Sequence, residues 1–212
     1  MARVASIRLV LAAGIAGTVA LSCAMPAQAS STNARAVAAQ TRLAELGYLP
    51  RAAVSGAMDE RTQQAVLAFQ GWEGLERSGV AGPATLVRLA KAARPRPLPG
   101  SGARIEVHLD SQVVLLVRGD KVERALHVST GAPATPTPAG DFRVYRKERQ
   151  SWSVPFRAWL PWASYFNRGI AFHGYADVPA YPASHGCVRI PLAEASTVYA
   201  FARLGAPVRV VP

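Results

Sequence analysis

Ala171-Phe172-His173-Gly174 and, after Tyr175 to Ala183, Ser184-His185-Gly186-Cys187-Val188-Arg189-Ile190 form the stretch on which the reading of this 212-residue chain turns. Tyr181-Pro182 before the second block and Pro191 after it bound a strand, a tight loop and a second strand. Side chains alternate across a strand. With Val188 and Ile190 in a core, Cys187 and Arg189 therefore face the other way, and His185 with them if the strand starts that early. Gly186 allows a turn, or a close approach of backbone to ligand, that a Cβ would forbid. A thiol, a guanidinium and two imidazoles then converge on one accessible surface. Three readings are open: a buried structural cysteine with satisfied histidines, a zinc site of His173, His185 and Cys187, and a cysteine nucleophile activated by a histidine.

The N-terminus bears on that choice. Arg3 and Arg8 precede an apolar run from Leu9 to Leu21, followed by Pro26-Ala27-Gln28-Ala29. A charged start, an apolar middle and Ala-x-Ala make residues 1–29 an expected secretory signal, cleaved after Ala29. The apolar run is shorter than the ~20 residues a membrane span needs. With no twin-arginine pair, general secretion is the expected route, and membrane contact is confined to export. Cys23 leaves with the signal, so Cys187 remains unpaired in an oxidising compartment, where a free thiol is a liability unless buried or employed. Processing also leaves 22 cationic residues against 13 acidic ones, net +9. Such a charge suits an anionic cell wall or periplasmic surface. No nucleic-acid signature accompanies it, and Arg146-Lys147-Glu148-Arg149 reads as a solvated loop.

Residues 35–93 carry helical spacing. Leu43 and Leu46 end at Gly47; Asp59 caps a helix holding Val66 and Phe69; Gly82-Pro83 opens another with Leu86, Leu89 and Ala90. Ser55-Gly56 precedes Thr62 by the interval at which Ser78-Gly79 precedes Thr85, a turn-into-helix unit seen twice. The prolines of residues 94–102 then give a stiff extended spacer ending in a Gly-Ser-Gly joint. Residues 103–212 change to β texture. Ile105, Val107 and Leu109 alternate, Val113 to Val117 reads as a strand buried on both faces, and Gly119-Asp120 turns into Val122 to Val128. Thr130 to Asp141 is a loop, Phe142 to Tyr145 a strand, Pro191 to Arg203 a helix, and Pro207 to Val211 a closing strand. Trp152, Trp159, Trp162, Tyr165 and Tyr175 read as core and cleft wall, and His108 and His127 as structural.

Two resemblances join these observations. Gln40-Thr41-Arg42-Leu43, Leu46-Gly47-Tyr48, Gly56, Asp59, Thr62, Ala65-Val66, Phe69-Gln70, Gly79, Gly82 and Thr85 resemble a peptidoglycan-binding domain found beside wall enzymes. Val128-Ser129-Thr130-Gly131, Thr135 to Val144, His173-Gly174 and Ser184 to Arg189 resemble the L,D-transpeptidase (YkuD) catalytic domain. The fold expected is α+β: a three-helix N-terminal bundle beside a mostly-β catalytic domain. The resemblance implies a cofactor-free cysteine acyltransferase using peptidoglycan stem peptides as acyl donor and acceptor. It makes Cys187 the nucleophile and His173 the proton acceptor and donor, with Ser184, His185 and Gly186 shaping the site. Arg189 stands where many members carry Asn, and the interval between His173 and Ser184 is shorter than in many.

The expected chemistry starts from a thiol of pKa ~8.5 lowered by a neighbouring imidazolium. Cys187 attacks the carbonyl of an L-configured centre, and His173 protonates the departing D-alanine nitrogen, leaving a thioester. An amine then resolves it to a cross-link. Backbone N–H groups of Gly186 and Cys187 are the natural oxyanion donors, and Arg189 can meet a substrate carboxylate. Gly174 offers only its carbonyl to orient His173. An L,D-carboxypeptidase would differ only in using water. A zinc peptidase and a non-catalytic wall-binding protein remain further alternatives. Papain-like enzymes place Cys before His, and no Ser-x-x-Lys motif is present.

Overall fold

The computed structural model describes residues 27–212. Nearly all of the expected export signal, with Cys23, lies outside the described residues. Among those described, no helix is long and apolar enough to cross a membrane.

Three helices come first: α1 (Ala27–Leu46), which begins inside the expected signal and before residue 35, α2 (Glu60–Trp72) and α3 (Pro83–Lys91). α1 stops at Gly47, whose φ of +92° suits glycine alone and lets Tyr48 N–H close back on Leu43 O. Asp59 caps α2 by accepting from Thr62 N–H at 2.8 Å. The repeated turn-into-helix unit has a physical basis that the sequence only hints at. Buried Gln40 accepts from Gly56 N–H and donates to Ala57 O and Thr62 Oγ1; buried Gln70 accepts from Gly79 N–H and donates to Val80 O and Thr85 Oγ1. One amide thus locks the turn and the next helix in each copy.

The remainder is two sheets. Strands β1 (Ala103–His108), β2 (Val113–Arg118), β3 (Lys121–His127), β4 (Gly140–Arg143) and β9 (Pro207–Val211) form one, in the order β3-β2-β1-β9-β4. Strands β5 (Arg146–Ser153), β6 (Ala158–Asn167), β7 (Ile170–Tyr175) and β8 (Val188–Pro191) form the other, in that order. Helix α4 (Leu192–Phe201) follows β8 and packs Ala195 and Val198 into the core between the sheets, with Ile105, Val107, Phe166, Phe172, Val188 and Ile190. The charged run at 146–149 is therefore the start of a strand, not a solvated loop. Its long cationic side chains lie along aromatic faces, Arg146 on Tyr165 and Lys147 on Tyr199, which an edge strand tolerates.

β2 is buried on both faces, as its apolar run predicts. Val114 and Leu116 enter the inter-sheet core, while Val113, Leu115 and Val117 join the helical core around Leu43, Tyr48 and Phe69. The bundle is thus seated on the first sheet. Glu194 of α4, nearly buried, reinforces the seat by pairing with Arg61 of α2 at 2.7 Å and Arg124 of β3 at 3.0 Å. The proline-rich connector is fastened along its length: Arg94 to Val122 O, Leu98 N–H to the buried Glu106 carboxylate, and Arg209 to Pro99 O. Burial alone would raise the Glu106 pKa; bonds from His108, Leu98 and Arg104 overcome it and hold the carboxyl below its usual range.

Leu115 belongs to both units. Leu115→Ala should cost ~2–5 kcal/mol, with unfolding in urea still a single transition by circular dichroism and by tryptophan fluorescence. Two separate transitions would show that the bundle and the sheets do not share a core.

Candidate active site

β7 and β8 run parallel, with Phe172 opposite Val188 and His173 opposite Arg189. Phe172 and Val188 point into the inter-sheet core, so Ala171, His173, Cys187 and Arg189 belong to the opposite face. That face floors a cleft of about 570 Å³, walled by Trp152 to Phe156 at the β5–β6 turn and by Tyr165 and Tyr175. Both His173 and Cys187 line it.

His173 is buried, and its Nδ1 lies 2.9 Å from Gly174 O. A carbonyl only accepts, so Nδ1 carries the proton and the Nε2 lone pair is free. Desolvation pushes the imidazole below the ordinary histidine value; the Gly174 bond opposes this and the Arg189 charge adds to it. Desolvation likewise pushes the Cys187 thiol up, against smaller downward pulls from the Ala171 amide and Arg189. The sequence suggests a thiol lowered by an imidazolium. The free site instead favours a neutral thiol and a neutral imidazole in one cleft, with His173 buried and Cys187 half-buried.

The loop carrying Cys187 is held from behind. Gly186 has φ +107°, and its N–H donates to Ser184 Oγ at 3.1 Å, while Ser184 Oγ donates to Cys187 O at 2.5 Å. Gly186 N–H is thereby engaged within the turn, so of the two expected oxyanion donors only the Cys187 N–H keeps that assignment. Buried Thr137 donates to Gly186 O at 2.8 Å and accepts from Gly131 N–H at 2.9 Å. Ser184 N–H donates to Thr130 O, and Thr130 is itself clasped by buried Gln112. His185 lies outside this frame. It is exposed at the cleft lip, its ring stacked on Phe156 at 4.6 Å between centroids. Among the described residues no three His, Cys, Asp or Glu side chains gather as a metal site, so His173, His185 and Cys187 are not brought together as ligands. Arg189 has no ion pair among the described residues; its guanidinium lies 4.2 Å from the Tyr175 ring centre.

Sequence reasoning missed Arg146, Phe156, Thr137 and Gln112. Thr137 sits in a quoted block, and its flanking prolines signal a fixed turn; nothing local marks the other three. His127 is buried, as expected of a structural residue, between Arg77 Nη2 at 2.9 Å and Pro179 O at 3.1 Å, and desolvation pushes its pKa down to about 4.

Residues 102–210 match the model of the L,D-transpeptidase catalytic domain, YkuD. The chain belongs to that family. Residues 32–89 match a peptidoglycan binding domain. Among solved structures, an L,D-transpeptidase from Xylanimonas cellulosilytica is 34% identical with a TM-score of 0.76, over 84% of this chain and 93% of the other. One from Stackebrandtia nassauensis is 25% identical with a TM-score of 0.55, over 84% and 90%. A Mycobacterium smegmatis L,D-transpeptidase, 21% identical with a TM-score of 0.50 over 53% of this chain and 60% of its own, shares the fold. No curated protein matches the chain. For this member of the L,D-transpeptidase family, α+β architecture with a helical N-terminal unit agrees with the sequence reading.

Two measurements follow. Iodoacetamide alkylation of Cys187 should keep accelerating above pH ~8.5, the ordinary thiol value; a plateau reached below neutral pH would show a preformed thiolate. Thr137→Val should lower stability by ~1–3 kcal/mol in urea and slow Cys187 acylation, because Gly186 O and Gly131 N–H lose their shared partner.

Proposed function

We propose that this chain is an exported peptidoglycan L,D-transpeptidase that forms cell-wall cross-links through an acyl-Cys187 thioester. The observation that carries the reading is the placement of Cys187 and His173 on one sheet face in one cleft, with the imidazole's Nδ1 proton already committed to Gly174 O. Substrate binding excludes water, and His173 Nε2 takes the Cys187 proton as the sulfur attacks the stem-peptide carbonyl after its L-configured centre. The Cys187 N–H stabilises the oxyanion. His173 returns the proton to the leaving D-alanine nitrogen, then deprotonates the acceptor amine that resolves the thioester.

Arg189 fits the role of electrostatic anchor. Stacking on Tyr175 holds its guanidinium plane and leaves N–H groups for a substrate carboxylate. Ser184 sets the turn, and His185 with Phe156 forms the lip over which a stem enters. The helical unit, by its match to a peptidoglycan binding domain, supplies affinity for the wall. The N-terminal segment directs export to the cell wall or periplasm.

Intact mass after incubation with a stem tetrapeptide tests this. An adduct of the acyl fragment is expected on the wild type and none on Cys187→Ala. His173→Gln should slow its formation by ~10²–10⁴-fold. Adding an acceptor stem should release a cross-linked dimer; release of the free tripeptide alone would make the enzyme an L,D-carboxypeptidase, and an unmodified wild type would remove the acyl-enzyme reading.

A further inference from the structure

The cleft has a second cationic feature, on the far side of the floor from Arg189. Arg146 of β5 pairs in register with Tyr165 of β6, Tyr165 pairs with Ala171 of β7, and Cys187, one residue before Val188, lies alongside Ala171 in the parallel register. These four residues make one row across the sheet, on the face that floors the cleft. The Arg146 guanidinium lies 3.8 Å from the centre of the Tyr165 ring; Tyr165 is two strands from Cys187 and Arg146 itself three. At ~4.8 Å per strand the Tyr165 backbone is roughly 10 Å from that of Cys187, and the Arg146 backbone roughly 14 Å. The cleft lining includes Arg146 and Arg189 and no carboxylate among the described residues.

The Tyr165 ring supports the Arg146 guanidinium, and about half of the Arg146 side chain stays exposed. Its one ionic neighbour among the described residues, Glu148, is 3.6 Å away, and both side chains are substantially exposed. Such a pair holds neither group firmly. The Tyr165 hydroxyl lies 2.8 Å from Ser151 Oγ. The next residues of β5, Lys147 and Arg149, lie against Tyr199 and Trp162 and are not among those lining the cleft.

We infer that Arg146, on its Tyr165 platform, is a specificity-determining residue that selects acyl donors bearing a free carboxylate one or two residues before the scissile carbonyl. This rests on the acyl-enzyme reading above. An acidic residue preceding the diamino acid of a stem peptide carries such a group, and two to three extended residues span ~7–10 Å. A carboxamide at the same place keeps the shape, loses the charge, and offers the guanidinium a weaker acceptor.

The test compares two stem tetrapeptides that differ only at that position, carboxylate against carboxamide, with acylation of Cys187 timed by intact mass. The wild type should acylate with the carboxylate donor about 10-fold or more faster. Arg146→Gln should bring the two donors within about twofold, chiefly by slowing the carboxylate donor, and Arg146→Lys should keep part of the preference. A thermal melt of each variant guards against misfolding. Equal rates for both donors on the wild type, or an undiminished preference in Arg146→Gln, would overturn the inference while leaving the acyl-enzyme reading intact. Absence of any adduct from either donor would overturn both.

Discussion

The pairing of β7 with β8 is the constraint on which the site depends. The two strands are parallel, so the chain must leave the end of β7, cross over, and return to the start of β8; residues 176–187 make that passage. Register then does the chemical sorting. Phe172 beside Val188 is fixed by the inter-sheet core, where both side chains are buried. A slip of one residue would send these side chains to solvent and bring Cys187 and Arg189 into the core. The burial of two apolar residues thereby decides that a thiol and an imidazole share an open face.

What surrounds that face tunes the pair. The cleft desolvates both groups, which favours their uncharged forms, and the Gly174 carbonyl chooses the tautomer. On the proposed mechanism the proton moves when substrate arrives, not beforehand. A neutral thiol is also less exposed to oxidation in the compartment where the enzyme is proposed to work. The loop bearing Cys187 keeps its shape because Thr137, Thr130 and Gln112 satisfy its backbone groups from behind. Farther out, the helical unit completes the burial of β2 and reaches α4, the helix that follows β8, through Arg61 and Glu194. The helical unit and the sheets share a buried core.

The sequence was most readable where local chemistry decides structure. Asp59 at a cap, Gly47 at a stop, Gly82-Pro83 at a start and the β2 apolar run each specify their own element. The directions of Cys187 and Arg189 follow from strand alternation about Val188 and Ile190. The 146–149 run was misread because four charged residues without apolar alternation carry no strand signal; their aromatic supports, Tyr165, Trp162 and Tyr199, are 13 or more residues downstream in the chain. The desolvation of the thiol is not legible in the motif, because it depends on walls built from β5 and β6. Thr137 and Gln112 act across 49 and 18 residues, distances at which spacing says nothing. The fastening of the connector to Val122, Glu106 and Arg209 belongs to the tertiary structure.

The central claim is that His173 and Cys187 rest as a neutral pair, with the ring's Nδ1 protonated and its Nε2 free to accept. Nitrogen NMR of histidine-labelled protein at neutral pH measures this directly. His173 should show a protonated Nδ1 and an unprotonated Nε2, in the wild type and in Cys187→Ala alike. A doubly protonated ring in the wild type that loses its second proton when the sulfur is removed would reveal a standing thiolate–imidazolium pair and contradict the account.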